Sequence, residues 1–332
     1  MADHPTSQPG RDDWPNLELL RERAELLREL RRFFDHRGFL EVQPPCLARY
    51  CILDAFIDPM EVATDQLSLG IDLPPWYYLQ TSPELAMKRM LAAGAPSIYS
   101  LGPVFRSGER GDHHNPEFTM LEWYQVDANL DAGIELLGRL AAETLRQDSF
   151  DVIGYRQLFS DTLGFDPIDV AIDSLQVHVG DVDLTLVDAI GEDRDALLDV
   201  LLTERIQPTL GLDRPIIVKH YPLSQAALAK PAEEDPQCAA RFELFASGME
   251  LANGYDELRD ADVLSARLQQ TEQRRVALGR RRIERSTRAL EQAISSGLPP
   301  CTGVALGVDR LLMVRCGAEQ IGQVMPFPIE LA

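Results

Sequence analysis

Lysine is scarce in this chain of 332 residues: there are three, Lys88, Lys219 and Lys230, against 29 arginines. Basic side chains as a whole are outnumbered, 32 to 53, for a formal charge of −21. Such a surface repels polyphosphate backbones over a Debye length of about 8 Å at physiological salt, which disfavours a broad nucleic-acid-binding face while leaving local charge distribution open. No apolar run approaches the ~18 residues of a membrane span, and Met1 to Pro15 is polar, acidic and proline-bearing rather than basic and then apolar. A soluble, cytoplasmic protein is expected. Cys46, Cys51, Cys238, Cys301 and Cys316 form no C-x-x-C pair and lie near no histidine cluster of zinc-site spacing, so free thiols are expected. The phosphate loop G-x-x-x-x-G-K-[ST] is missing as well, so a nucleotide site would need another phosphate-handling device.

What is present is a composition of 45% hydrophobic residues, enough to bury a substantial core. Residues 1–15 read as a disordered tail and residues 16–332 as one domain. Leu20, Ala24, Leu27, Leu30 and Phe34 recur at helical spacing up to Gly38, and Phe39-Leu40-Glu41-Val42 then alternates like a strand until Pro44-Pro45. Strands are expected at Trp76 to Leu79, Ile98 to Phe105, Glu117 to Tyr124, Pro215 to Tyr221, Arg241 to Phe245, Met249 to Ala252 and Gly303 to Gly307. Helices are expected at Pro83 to Leu91, Asp127 to Gln147, within the acidic stretch Asp169 to Thr203, over a long arginine-rich region from Ala261 to Ile294, and from Asp309 to Val314. Hairpin-linked strands interrupted by helices, without alternating βαβ units, predict an α+β domain around an antiparallel sheet flanked by helices.

The segment from Phe105 to Tyr124, FRSGERGDHHNPEFTMLEWY, is the most informative. An arginine leaving one strand can clamp a phosphate with its rigid fork, and a phenylalanine on the return strand offers a flat face to a base. Glu122 and Tyr124 fall on the same strand face as Phe118, and a carboxylate and a phenol beside an aromatic ring suit an ammonium group. An isolated F-R or P-E-F would more simply be a hairpin with a solvated loop; the whole string is harder to explain that way.

This string resembles motif 2 of the class II aminoacyl-tRNA synthetases, in the form of the lysyl enzymes. Gly303-Val-Ala-Leu-Gly-Val-Asp-Arg310 resembles motif 3, and the helix, strand and Pro44-Pro45 unit resembles motif 1, which in that family builds a dimer interface. The likeness runs from about Leu17 to the C-terminus and implies a class II synthetase-like catalytic domain, ATP and Mg²⁺ as cofactors, and a homodimer. It further implies that Arg106 holds the α-phosphate and Arg310 the γ-phosphate, the catalytic pair, with Phe118 stacked on adenine. Glu109, His114, Asn115, Glu250, Leu251 and Gly307 complete the implied ATP site. The family often reads Arg-x-Glu, whereas Arg106-Ser-Gly-Glu109 brings the acid one residue later. Glu243 and Glu250, on two arms of a hairpin, resemble the family's metal-binding pair. Ser82, Pro83, Glu84, Glu122, Tyr124, Asn253 and Glu257 resemble the amino-acid pocket, in which several carboxylates around one cation select a long, positively charged side chain.

Within the family, the likeness is to ligases that modify elongation factor P with (R)-β-lysine, which lack the anticodon-binding domain; only about 16 residues precede the first helix here, too few for that β-barrel. Ala305 stands where lysyl-tRNA synthetases usually have the middle glycine of motif 3. Its methyl group would crowd the backbone of an α-amino acid and leave space for a β-amino acid, or it packs against a neighbouring strand. The expected reaction is ATP-dependent activation of (R)-β-lysine as its adenylate and transfer to a lysine ε-amine of elongation factor P, with tRNA not involved. The alternatives are a truncated lysyl-tRNA synthetase activating α-lysine and a non-catalytic synthetase-like regulator. The lysine shortage would limit attack on such an adenylate by the enzyme's own amines, although a general arginine bias accounts for it more simply.

Overall fold

A computed structural model describes residues 16–67, 75–283 and 286–332; the expected N-terminal tail, residues 1–15, lies outside the described residues. The chain opens with α1 (Leu17–Asp35), started by Asn16, whose side chain accepts the Glu18 N–H at 2.9 Å. Leu26, Leu30, Phe33 and Phe34 form its buried stripe. There follow β1 (Leu40–Glu41), β2 (Leu47–Ala48), β3 (Glu61–Ala63), β4 (Trp76–Leu79), α2 (Glu84–Ala92), β5 (Ile98–Phe105), β6 (Glu117–Val126) and α3 (Leu130–Leu145). A helical excursion, α4 (Tyr155–Leu163), α5 (Ile172–Gly180), α6 (Leu184–Ile190) and α7 (Arg194–Leu201), sits between β7 (Asp151–Gly154) and β8 (Ile216–Lys219). The chain ends with β9 (Arg241–Ala246), β10 (Met249–Asp256), α8 (Ala261–Ala277), α9 (Ser286–Ser295), β11 (Cys301–Gly307) and α10 (Val308–Cys316).

Eight strands form one sheet in the order β1-β5-β6-β11-β10-β9-β8-β7, and β2-β4-β3 form a smaller one. The central pairings are antiparallel, as expected, and the two edges, β1 with β5 and β7 with β8, are parallel. Alternation divides the large sheet. Leu121 and Trp123 of β6, Val304 and Leu306 of β11 and Phe242 and Leu244 of β9 join residues of α1, α3 and α10 in the main core. Phe34 is stacked on Tyr99 at 4.8 Å and tilted against Trp123 at 5.2 Å, and each such ring buried contributes about 2–3 kcal/mol. The opposite face carries the site.

The arginine-rich region is not one helix but two, α8 and α9. The turn between them brings Arg280 and Arg281 back to Asp58 and Glu61, each pair at 2.6 Å. Arg275, 1% exposed, donates to the Asp54 and Ile57 carbonyls at 3.0 and 2.9 Å and pairs with Asp58. A single straight helix would forgo this charge pairing with the 54–61 segment.

Candidate active site

A cavity of about 260 Å³ lies on that face of the central strands, with Glu84 of α2 and Arg310 of α10 reaching it from either side. Every second residue of β6 from Phe118 to Tyr124 lines it, and Gly303, Ala305 and Gly307 of β11 face it from the neighbouring strand. Asn253 and Tyr255 of β10 do the same. Strict alternation would turn Glu250 away from them, but the β9–β10 register shifts between Glu250 and Ala252, and this bulge returns Glu250 to the cavity side.

Two guanidinium groups face the cavity. Arg106 donates from Nε to the Thr81 carbonyl at 3.3 Å and lies 5.2 Å from the Phe118 ring centroid. Its Nη1 is 3.5 Å from Glu109 Oε1. Gly108, which precedes Glu109, has a φ of 79°, the left-handed conformation that glycine adopts without strain. Arg310 is held by three acceptors: the Glu250 carbonyl (3.1 Å), the His113 carbonyl (3.2 Å) and His114 Nε2 (2.5 Å). Burial, and then the Arg310 charge, lowers the pKa of His114. The neutral ring therefore accepts at Nε2 and keeps its proton on Nδ1. Both arginines are thus oriented before any ligand arrives, which suits electrostatic stabilisation of transferring phosphate.

The other end of the cavity is acidic. Glu122, 2% exposed, accepts from Ser82 Oγ (2.7 Å) and Tyr124 OH (2.9 Å). Burial, reinforced by the Glu84 charge, pushes its carboxyl up to about 8 against those two hydrogen bonds. Burial also raises Glu257 to about 7, with Lys88 opposing the shift. A Cβ on Gly303 would lie 2.3 Å from Glu257 Oε1 and 2.4 Å from Tyr124 Cε1, so only glycine lets strand and acidic cluster approach so closely.

Of the residues singled out in the sequence, Ser82, Glu84, Arg106, Glu109, His114, Asn115, Phe118, Glu122, Tyr124, Glu250, Leu251, Asn253, Glu257, Ala305, Gly307 and Arg310 all line this cavity. Pro83 and Glu243 do not. Pro83 precedes α2 as its N-cap residue. Glu243, opposite Asn253 in the sheet, is paired with Arg241 and accepts from Tyr221 OH at 2.5 Å. The Asn115 amide is taken up by the backbone, donating to the Glu117 carbonyl (2.6 Å) and accepting from Ile329 N–H (3.0 Å).

Several contributors were not singled out. Ile52, Asp54 and Ile57 line the cavity from a loop without periodicity. Asp309, which also lines the cavity, accepts from Arg23 (2.5 Å) and from the Thr119 N–H (2.6 Å), tying α1, β6 and α10 together. Lys88 pairs with Glu84 and Glu257; its one legible signal was the i, i+4 spacing from Glu84 on a helix.

The profile of the family described as tRNA synthetases class II (D, K and N) matches residues 15–331. The chain belongs to this family. As a class II synthetase-like protein it is an ATP-dependent ligase. The class II chain is also similar to relatives named elongation factor P--(R)-beta-lysine ligase. Those of Salmonella gallinarum and Klebsiella pneumoniae are each 40% identical over 336 residues, covering 100% of both chains. That of Yersinia enterocolitica is 40% identical over 316 residues, 93% of this chain and 94% of the relative. No helix among the described residues is long and apolar enough to cross a membrane.

Proposed function

We propose that this ligase activates (R)-β-lysine with ATP and transfers it to a lysine ε-amine of elongation factor P. The observation that carries the reading is one cavity with two oriented guanidinium groups at one end and a buried carboxylate cluster at the other. The amino-acid carboxylate attacks the α-phosphate, held by Arg106; pyrophosphate leaves, with Arg310 on the γ-phosphate side, and the mixed anhydride forms. The acceptor amine then attacks the activated carbonyl and AMP leaves. Positioning and charge stabilisation supply the catalysis and no protein nucleophile is required. The names of the full-length relatives support the choice of amino acid and acceptor.

Mg²⁺ fits the residues at the nucleotide end. Burial, and then the Glu243 charge, raise Glu250 to about 7, so a cation beside it would restore its ionised form. Asn253 Oδ1 is buried without a hydrogen-bond partner and offers a second oxygen. Glu243, the second carboxylate of the expected pair, lies near enough for its charge to raise Glu250, and it also accepts from Arg241 and Tyr221. Magnesium usually takes one or two carboxylates together with substrate phosphates, so this small donor set suffices, and the ion would neutralise phosphate charge. A homodimer through the motif 1 region, α1 and β1, belongs to the same reading, and sedimentation measures it.

The deciding experiment is ATP–pyrophosphate exchange with Mg²⁺ and no tRNA, comparing (R)-β-lysine, (S)-β-lysine and α-lysine, followed by mass measurement of elongation factor P. Preference for (R)-β-lysine and the matching mass gain are expected. Preference for α-lysine would replace this reading with that of a lysyl-tRNA synthetase, and no exchange with any of the three would replace it with a regulator.

A further inference from the structure

The ammonium of Lys88 lies 2.5 Å from Glu84 Oε1 and 2.7 Å from Glu257 Oε2. Lys88 is 1% exposed and does not line the cavity, whereas Glu84, Glu122 and Glu257 do. The cation therefore stands behind two of the three carboxylates, on the side away from the ligand space. Its position follows from α2, where one helical turn separates Glu84 from Lys88. The Glu84 N–H is in turn fixed by Ser82 Oγ at 3.0 Å, the same hydroxyl that donates to Glu122.

We infer that Lys88 is a positioning residue for amino-acid recognition: it clamps Glu84 and Glu257 from behind and leaves the cluster with acceptor capacity for one incoming ammonium group. The inference rests on the reading of this cavity end as the amino-acid pocket.

Three carboxylates gathered in a poorly solvated cluster repel one another and are costly to keep ionised. One internal cation offsets part of that charge without occupying the pocket. The groups around it are Glu84 on its own helix, Glu122 and Tyr124 on β6, Glu257 just past the end of β10, and Cys301 on β11, with Asp256 acting on Glu257. Burial works against the Lys88 charge, but Glu257 and Glu84 outweigh it and hold the amine above its ordinary pKa. A compact ammonium with three tetrahedral donors meets two carboxylates from different elements at one point; the planar guanidinium fork is longer and differently directed. This fits the presence of a lysine here in a chain that otherwise uses arginine for 29 of its 32 basic residues.

The test is pyrophosphate exchange by Lys88→Met, Lys88→Arg and wild type between pH 6.5 and 9, recording KM for (R)-β-lysine and for ATP. Lys88→Met is expected to raise the amino-acid KM at least tenfold, leave the ATP KM within about twofold and shift the acidic limb of the amino-acid profile to higher pH. Lys88→Arg should recover the pH profile in part without recovering the full affinity. If Lys88→Met does not fold, the double variant Lys88→Met/Glu84→Gln removes a cation and a carboxylate together, and the same amino-acid-specific loss is expected. Equal rises in both KM values, or an unchanged amino-acid KM and profile, would overturn the inference. Wild-type protein inactive with every lysine isomer would instead overturn the underlying functional reading.

Discussion

At the scale of single residues, the cavity separates a cationic end from an anionic one, and each end makes its own prediction. Arg106→Ala and Glu250→Ala should each lower exchange by 100-fold or more while keeping the wild-type melting profile, since one oriented charge on a developing transition state is worth about 10²–10³ in rate. Exchange rates paired with circular-dichroism melts would check this, and full activity in either variant would refute the assignment. Glu122 predicts a pH dependence. Its folded value of about 8 stands above the ordinary 4.5, so the folded protein binds the proton more tightly than the unfolded chain. Its contribution to stability is complete below about 4.5 and is lost as pH rises towards about 8. Thermal melts of the ligand-free protein should fall across that window, and less steeply in Glu122→Gln. The amino-acid KM should move the other way, improving as pH approaches 8 because the ionised carboxylate is the acceptor. A Glu122→Gln melting curve parallel to wild type would remove Glu122 as the cause.

At the scale of elements, Gly303→Ala puts a methyl group within 2.3 Å of Glu257 and 2.4 Å of Tyr124. It should cost about 1–3 kcal/mol in stability and weaken the amino acid at least tenfold with little effect on ATP. Denaturant titration together with the two KM values tests it, and an equal loss for both ligands would contradict the one-sided placement. The same elements mark what the sequence could say. The strands and helices that carry the site were legible because period 2 and period 3.6 survive in one dimension: Phe118, Glu122 and Tyr124 share a face by counting alone. The bulge that turns Glu250 inward was not legible, since it depends on how β9 and β10 pair. Nor was the turn between α8 and α9, which answers to carboxylates more than 200 residues away. Lys88 was legible only through its helical spacing from Glu84; its second partner, Glu257, is brought near by the sheet. Asn115 and Glu243 show the converse limit, for residue type and motif position did not reveal that neighbouring backbone and Arg241 occupy their side chains.

At the scale of the whole molecule, a charge of −21 favours an acceptor that does not depend on long phosphate contacts. Added tRNA should leave the rate of ATP consumption with (R)-β-lysine unchanged, and stimulation by tRNA in that assay would restore the synthetase alternative. Sheet order has a further consequence. Strand β11 lies between β6 and β10, hydrogen-bonded to both, although it follows them in the chain. During translation β6 and β10 therefore leave the ribosome with unpaired facing edges, and the seam closes only when the strand ending at Gly307 emerges. A nascent chain stalled before that point carries two sticky strand edges and no Arg310, so premature termination should yield aggregation-prone fragments with no residual activity.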